Sequence, residues 1–258
     1  MTPSATRLDV RGLQKQFGGY SAVSGVDLMV RAGTVHAVIG PNGAGKTTLF
    51  NLITGVLPAT AGSISLDGTD IVGWTPDRIA AAGVARTFQG IRLFRDMSVL
   101  ENVMVGRHCR TRGGFLSAIG RVPFRQPPAE AHARRKAEEL LEMVGVADRA
   151  GALAAELPLA DQRRVEVARA LATEPRLLLL DEPVAGMNPV EVDEAGRLIT
   201  AIRKNGVTVL LTEHHMSLVM RVSDVVTVLD YGEKIAEGAP GDVKRHPRVL
   251  EAYLGTEA

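Results

Sequence analysis

The feature that most constrains this chain is the octapeptide Gly40–Thr47, which reads GPNGAGKT. A short apolar run rich in β-branched residues precedes it at residues 33–40, and apolar residues at helical spacing follow at 46–55. Glycines in such a loop let the backbone turn tightly between two elements. The sequence therefore predicts a strand, a loop and a helix in an α/β fold.

Each residue type in this loop suits a phosphate chain. Turned glycine backbone directs N–H groups inward, and the positive end of the following helix faces the same anion. Lys46 supplies a mobile charge for the β- and γ-phosphates, and Thr47 offers Mg²⁺ a hydroxyl oxygen. The pattern is a P-loop, so we expect ATP and Mg²⁺ as ligands. The expected nucleotide contacts are Gly40, Pro41, Asn42, Gly43, Ala44, Gly45, Lys46, Thr47 and Thr48.

A second part of the site is predicted from Leu177–Glu182, which reads LLLLDE. A fully apolar run of this length is typical of a buried parallel strand. We expect Asp181 at its end to meet the magnesium shell and Glu182 to polarise the attacking water. Acidic pairs at strand ends are common, so this interpretation depends on the presence of the P-loop.

Charge and cysteine content exclude several classes of protein. The chain has 258 residues, and its 30 Lys and Arg nearly balance its 29 Asp and Glu. It lacks the basic excess of a phosphate-backbone binder, so nucleic acid is not an expected partner. Cys109 is the only cysteine, which excludes an intramolecular disulfide and a zinc site built on several thiolates.

The sequence contains no apolar run long enough to span a membrane, which takes about 18 residues. Residues 1–9 also lack the apolar core of a secretion signal. We therefore expect a cytoplasmic chain that reaches a membrane only by docking onto a protein that spans it.

The middle of the chain is predicted to be helical, with apolar residues at helical intervals over 129–144. Glycines and prolines indicate a loop-rich insertion at 107–128. Strand and helix patterns alternate again after Arg164. We expect a single domain over 1–258. Its parts would be an ATP-binding core at 1–90 and 166–258 and a helical subdomain at 91–165.

These motifs together resemble those of ABC transporter ATP-binding subunits over nearly the whole chain. The resemblance implies an α/β fold of the ABC ATPase type: a P-loop NTPase (RecA-like) core, an antiparallel β subdomain and an inserted α-helical subdomain. It implies ATP hydrolysis by in-line attack of water on the γ-phosphate, coupled to transport. It also implies a second ATPase subunit and transmembrane permeases as partners, at the inner face of the cell membrane.

The resemblance assigns roles to residues outside the two phosphate motifs. Gln89 matches the Q-loop glutamine, which lies between the γ-phosphate and the permease and can bind metal and water. His214 matches the switch histidine, which contacts the γ-phosphate or orients Glu182. The resulting catalytic set is Lys46, Gln89, Glu182 and His214, and the metal set is Thr47, Gln89 and Asp181. Residues 185–188 match the D-loop, although the family often has aspartate where this chain has Asn188.

The adenine contact is predicted from an aromatic residue near the start of the chain. Phe17 resembles the family's aromatic that stacks on the base. Tyr20 is the competing candidate, and a plain core role for Phe17 is the alternative to both.

Finer features resemble the ATP subunits of branched-chain amino acid importers. They are Val84–Gln89, Arg92–Phe94, the insertion before Arg125, Ala185–Pro189 and Ala252–Gly255. Such subunits usually work as a pair of different chains, with two permeases and a separate solute-binding protein. ATPases of lipid export are the nearest alternative among transporters, and the transported solute is chosen by other proteins.

The signature loop departs from the family pattern LSGGQ. The aligned residues are Leu157-Pro158-Leu159-Ala160-Asp161, whereas residues 162–171 match well. Pro158 has no N–H, and Leu159 adds bulk where glycine lets the chain approach an anion. Asp161 either brings negative charge towards phosphate or acts as N-cap of the following helix. Each site combines one chain's P-loop with its partner's signature loop. We therefore expect this chain's own site to be competent with a partner whose signature loop is intact, and the site on the partner's P-loop to hydrolyse ATP weakly or only to bind it.

Two other function classes stay open at this point. An ATP-binding regulatory module with weak turnover is suggested by the altered signature loop. A soluble ABC protein of DNA repair or translation usually has two ATPase units or a long coiled insertion, and the sequence shows neither.

Overall fold

The structure, a computed structural model, describes residues 6–107 and 128–254. Cys109, most of the predicted insertion at 107–128, and Gly255 of the C-terminal motif therefore lie outside the described residues. The chain divides into two compact units. The first unit is Met1–Gln89 with Arg176–Ala258, and the second is Gly90–Pro175.

The strands are β1 (Thr6–Phe17), β2 (Tyr20–Arg31), β3 (Val35–Ile39), β4 (Ala61–Leu66), β5 (Thr69–Asp70), β6 (Val84–Arg86), β7 (Leu177–Asp181), β8 (Thr208–Thr212), β9 (Val225–Asp230) and β10 (Glu233–Gly238). The helices are α1 (Lys46–Ile53), α2 (Pro76–Ala81), α3 (Val99–Gly106), α4 (Pro128–Val144), α5 (Leu159–Leu171), α6 (Pro189–Lys204), α7 (Met216–Val222), α8 (Pro240–Val243) and α9 (Pro247–Leu254). No helix among these described residues is long and apolar enough to cross a membrane.

The first unit contains two sheets. The larger has the order β10-β9-β3-β8-β7-β6 and is parallel except for β10, which runs antiparallel to β9. Every residue of β3, β7 and β8 is buried, which explains why these strands read as continuous apolar runs. The smaller sheet, β2-β1-β4-β5, is antiparallel. These sheets confirm the predicted α/β fold with an antiparallel subdomain.

The main core of the first unit surrounds α1. Leu49, Phe50 and Ile53 of this helix are fully buried and belong to one apolar cluster with β1 and β2 of the smaller sheet. The same cluster contains Leu177 and Leu179 of β7. The helix that follows the P-loop is thereby fixed against both sheets, which positions the loop at its start.

The second unit is helical, as predicted, and α3, α4 and α5 pack against one another. Helix α3 begins with a capping box, in which Ser98 Oγ accepts a hydrogen bond from Glu101 N–H and Glu101 Oε2 accepts one from Ser98 N–H. Gly106 lies where a Cβ would meet the Arg169 carbonyl oxygen at 2.2 Å, so α3 and α5 approach closely. The predicted limit at residue 165 falls inside α5.

Candidate active site

The P-loop connects the buried end of β3 to the start of α1. A Cβ at Gly40, where φ is 152°, would meet the Leu229 carbonyl oxygen at 2.1 Å. A Cβ at Gly45, where φ is 98°, would meet the Ala22 carbonyl oxygen at 2.4 Å. Both positions therefore require glycine. Helix α1 has no side-chain cap and no acid in its first turn, so the N–H groups of that turn are not taken by a side chain of the helix itself.

Lys46 lies folded into this loop. Its side chain is buried, and Nζ donates hydrogen bonds to the carbonyl oxygens of Gly40 at 2.7 Å and Pro41 at 2.9 Å. Burial lowers the pKa of Lys46, while the charges of Glu182 and Asp181 act to raise it. The ammonium group lies among neutral carbonyls, where phosphate oxygens would offer it stronger, charged acceptors.

Glu182 follows β7 in a backbone conformation that is rare for glutamate, with φ at 49°. Gln89 Nε2 donates a hydrogen bond to Glu182 Oε2 at 3.0 Å. His214 Nε2 lies 2.8 Å from Glu182 Oε1, and since a carboxylate only accepts, this nitrogen carries the proton. The structure thus brings together three residues that the sequence placed in the catalytic set.

Asp181 ends β7 with both carboxylate oxygens engaged. Thr212 Oγ1 donates to Asp181 Oδ1 at 2.8 Å, and Arg86 Nη2 donates to Asp181 Oδ2 at 2.8 Å. The Asp181 N–H donates to Thr87 Oγ1 at 3.4 Å. Sequence reasoning missed all three partners, because they come from the neighbouring strand β8 and from the region of β6.

Glu213 is a second buried carboxylate that sequence reasoning missed. It accepts hydrogen bonds from the N–H groups of Val184 at 3.0 Å, His214 at 2.9 Å and His215 at 3.2 Å. It therefore joins the loop after Glu182 to the loop that carries His214. The sequence did contain a sign of this carboxylate. Glu213 directly follows the apolar strand β8, much as Asp181 stands at the end of the apolar strand β7.

The two adenine candidates lie on either side of the turn between β1 and β2. Phe17 and Tyr20 are paired across this hairpin, and 47% and 55% of their surfaces are exposed, so Phe17 is not a core residue. The ammonium of Lys15 lies 5.0 Å from the centre of the Phe17 ring. Tyr20 lines a cavity of about 470 Å³ together with residues 41–44 of the P-loop.

In the second unit, α5 begins at Leu159 with Pro158 in the N-cap position and no side-chain cap. Asp161 lies inside the first turn, and its carboxylate is 3.7 Å from Arg164 Nη1. The alternative that Asp161 is the N-cap of this helix is therefore wrong. Leu157 is buried, whereas 44% of Leu159 is exposed at the helix start.

Asn188, at the end of the predicted D-loop, is the N-cap of α6. Its Oδ1 accepts hydrogen bonds from Val190 N–H at 2.9 Å and Glu191 N–H at 3.1 Å, and Glu191 Oε2 accepts one from Asn188 N–H at 2.8 Å. Aspartate and asparagine serve equally as N-caps. This capping role accounts for Asn188 at a position where the family often has aspartate.

The residues present fit a magnesium nucleotide. The described residues contain no cluster of three or more His, Cys, Asp or Glu side chains that could hold a metal unaided. Mg²⁺ usually keeps several waters and binds through one or two carboxylates with phosphate oxygens, so a single buried aspartate beside a P-loop is a suitable donor set.

The sequence of this chain matches two protein-family models. One, described as "ABC transporter", matches residues 23–185. The other, "Branched-chain amino acid ATP-binding cassette transporter", matches residues 233–258. The chain is also 45% identical over 250 residues to the high-affinity branched-chain amino acid transport ATP-binding protein BraF of Pseudomonas aeruginosa, covering 96% of this chain and 97% of that one.

The chain belongs to the ABC transporter ATP-binding proteins of the branched-chain amino acid transport family. LivG of Escherichia coli, also a high-affinity branched-chain amino acid transport ATP-binding protein, is 43% identical over 250 residues, covering 96% of this chain and 97% of LivG. A crystal structure of the ADP conformation of an ATP-binding cassette from an ABC transporter has a TM-score of 0.85 at 32% identity, covering 97% of this chain and 99% of that one.

Family membership establishes the general activity of the chain. An ABC transporter ATP-binding protein binds ATP and hydrolyses it to drive transport, as a subunit of a larger transporter. The P-loop, Glu182 and His214 belong to the first unit of this ABC ATPase, and residues 157–161, the predicted signature loop, belong to its second unit.

Proposed function

We propose that this chain is the ATP-hydrolysing subunit of an importer of branched-chain or related amino acids, attached to the inner face of the cell membrane. BraF and LivG, which align over nearly the whole chain, support this assignment of the solute. The observation that carries the hydrolytic role is the carboxylate of Glu182, held between Gln89 and His214.

The proposed nucleotide contacts are residues 40–48, with an aromatic ring at Phe17 against the base. Lys46 turns its ammonium from the loop carbonyls to the β- and γ-phosphates. Thr47, Gln89 and Asp181 would hold Mg²⁺, which when bound neutralises charge on the phosphate oxygens. These assignments follow the family motifs residue by residue.

The proposed chemistry is attack of a water molecule on the γ-phosphate. Glu182 orients the water and accepts its proton as negative charge leaves with ADP. His214 keeps Glu182 in place through its Nε2 contact, and its imidazole is the proposed donor to the γ-phosphate once nucleotide is bound. Gln89 holds the second oxygen of Glu182, so loss of the Gln89 contact would leave the carboxylate held by His214 alone.

We also propose that the loop before α3 contacts a permease. Phe94 and Met97 of this loop are 50% and 38% exposed, and Leu153, bridged to Ser98 beside it, is 42% exposed, although all three are large and apolar. Buried Asn102 holds this loop, since its Oδ1 accepts from Phe94 N–H at 2.8 Å and its Nδ2 donates to the Phe94 carbonyl at 3.0 Å. A rigid loop with exposed apolar side chains suits docking of a partner protein.

The partner in the ATPase pair is proposed to be a different chain. Pro158 offers no N–H to a phosphate and Asp161 adds negative charge, so this chain's signature loop would support hydrolysis poorly at the partner's P-loop. A second ATPase with an intact signature loop would complete the site built on residues 40–48. A separate solute-binding protein would deliver the amino acid.

The test is reconstitution of the chain in lipid vesicles with its cognate permeases, second ATPase and solute-binding protein. We expect ATP-dependent uptake of leucine, isoleucine or valine, together with phosphate release. Tight ATP binding without phosphate release in the full assembly would contradict the transport role and favour a regulatory module. Phosphate release without uptake of any branched-chain amino acid would contradict the assigned solute.

A further inference from the structure

Arg86 is a buried arginine at the end of β6 that none of the roles above uses. Only 6% of its side chain is exposed, and it forms an ion pair with Asp181 across 2.8 Å. Its other terminal nitrogen, Nη1, donates to Asn51 Oδ1 at 2.8 Å and to Thr54 Oγ1 at 3.1 Å. Asn51 and Thr54 lie at the end of α1, the helix that follows the P-loop.

Two aromatic rings also confine the Arg86 guanidinium. Its Cζ lies 5.6 Å from the centre of the Phe50 ring and 5.0 Å from that of Phe88. Rings at this range attract a cation and restrict its movement. The guanidinium is thus fixed by contacts with α1, β7 and the segment that leads to Gln89, rather than resting at Asp181 by chance.

The charge of Asp181 explains why such a cation matters. The Asp181 side chain is 3% exposed, and a buried carboxylate without a counter-charge is strongly destabilising. In the absence of metal, Arg86 supplies that counter-charge, and Thr212 satisfies the other oxygen. When metal is present, Arg86 and Mg²⁺ are two cations acting on one carboxylate.

We propose that Arg86 is an internal counter-ion that balances the charge of the Asp181 carboxylate before Mg²⁺ arrives and weakens the hold of Asp181 on the metal. The proposal rests on the assignment of Asp181 as a magnesium ligand. A low affinity for free metal makes Mg²⁺ binding depend on the phosphates of the nucleotide. Arg86 is therefore a positioning residue, attached through Asn51 and Thr54 to the helix that carries the P-loop.

The expected direction follows from the repulsion between two cations at one carboxylate. The Arg86 guanidinium lies 2.8 Å from Asp181 Oδ2, so it opposes a second cation at the same group. Removal of the guanidinium should therefore strengthen Mg²⁺ binding, on the order of tenfold. If Arg86 had only a structural role, its removal would instead leave the Mg²⁺ affinity unchanged, or would lower it because Asp181 would lose its orientation.

The experiment compares the full-length wild type with Arg86→Met, Arg86→Lys and Asp181→Asn. With saturating ADP, the Mg²⁺ concentration that gives half of the thermal stabilisation is measured, so the readout does not depend on hydrolysis. We expect the Arg86→Met midpoint to fall about tenfold and the Arg86→Lys midpoint to stay near the wild-type value, since lysine keeps the charge. An unchanged or raised midpoint in Arg86→Met overturns the proposal.

A double variant separates this outcome from failure of the proposed function. Without metal, Arg86→Met should lower the melting temperature more in the wild-type background than in Asp181→Asn, because asparagine needs no counter-charge. Equal losses of melting temperature in the two backgrounds overturn the counter-ion role. This comparison needs no Mg²⁺ titration, so it still tests the role if Arg86→Met alone is too unstable to titrate. A wild-type midpoint retained in Asp181→Asn would instead refute the metal role of Asp181.

Discussion

Glu182 Oε1 lies 2.8 Å from His214 Nε2, and this contact joins the end of β7 to the loop after β8. The two strands are adjacent and parallel, with Asp181 paired to Thr212. Carboxyl ends of parallel strands meet at one edge of a sheet, which is where ligands bind in open α/β folds. The contact is therefore a direct consequence of the sheet order.

Substitution Glu182→Gln tests whether Glu182 is the base in ATP hydrolysis. Glutamine has nearly the same shape but is a far weaker base, so we expect phosphate release to fall about 10²- to 10⁴-fold. Mg-ATP binding should stay near the wild-type value, since residues 40–47 are unchanged. The measurement is phosphate release by the ATPase pair, with ATP affinity determined on the same samples.

The same substitution in the second ATPase is the matched control for the altered signature loop. The site built on the partner's P-loop should hydrolyse weakly, so the partner variant should lose much less activity than Glu182→Gln. Equal losses from the two variants would contradict the proposed asymmetry.

Substitution Glu213→Gln should destabilise the protein and loosen the His214 loop. The carboxylate accepts three backbone hydrogen bonds, and glutamine has only one acceptor oxygen and brings two donors. We expect the free energy of unfolding to fall by about 2 kcal/mol. Urea unfolding measures it, and exposed Glu233→Gln is the control, with an expected change within about 0.5 kcal/mol. Equal effects of the two substitutions would argue against a linking role for Glu213.

The choice between Phe17 and Tyr20 can be made by nucleotide binding. Loss of one base-stacking ring costs about 1–3 kcal/mol. We expect Phe17→Ala to weaken ATP binding by about 5- to 150-fold, Phe17→Tyr to bind nearly as wild type, and Tyr20→Ala to change affinity little. A large loss in Tyr20→Ala with none in Phe17→Ala would transfer the adenine contact to Tyr20.

His36 should make the stability of the first unit depend on pH. Burial lowers the pKa of His36 to about 4, and the charge of Lys234 acts in the same direction while Glu237 opposes it. The imidazole Nε2 lies 2.8 Å from Thr227 Oγ1, and the Thr227 hydroxyl donates to Glu237 Oε2 at 3.1 Å. Because burial disfavours the charged form, the folded protein holds His36 as the neutral ring.

The direction in which stability changes with pH follows from proton uptake on unfolding. Between about pH 6.5 and pH 4 the unfolded chain binds a proton at His36 that the folded chain does not, so stability falls as pH falls through that range. The full contribution of His36 to the free energy of unfolding is about 3 kcal/mol. Urea unfolding of wild type and His36→Gln at pH 7 and pH 5 measures it. The wild type should lose more stability than the variant, and equal losses would exclude His36 as the cause.

The sequence predicted the elements of this fold where local patterns were strong. Buried strands read as apolar runs, and the strand predicted from the run that begins at Leu177 is found as β7. The boundary of the helical segment was harder to place, because α5 has helical periodicity on both sides of residue 165.

Three of the four predicted catalytic groups, Gln89, Glu182 and His214, meet in the structure, but the groups that hold the site together were not predicted. Arg86, Thr212 and Glu213 act across neighbouring strands, and a single sequence does not reveal such pairings. Asp161 was ambiguous for a similar reason, since N-cap and first-turn positions both favour aspartate and differ by only three residues. Strand order and helix start, rather than residue type, decide these roles.

The most direct test of the account is Mg-ATP binding to the wild-type chain and to Lys46→Ala, measured by titration calorimetry. The loop at residues 40–47 is held to enclose the triphosphate, with the Lys46 ammonium transferred from neutral carbonyls to charged oxygens. Hydrogen bonds to charged groups contribute about 1.5–3 kcal/mol, so affinity should fall about 10- to 100-fold. Unchanged affinity in Lys46→Ala, or no binding by the wild type in the presence of its partner ATPase, would contradict the account.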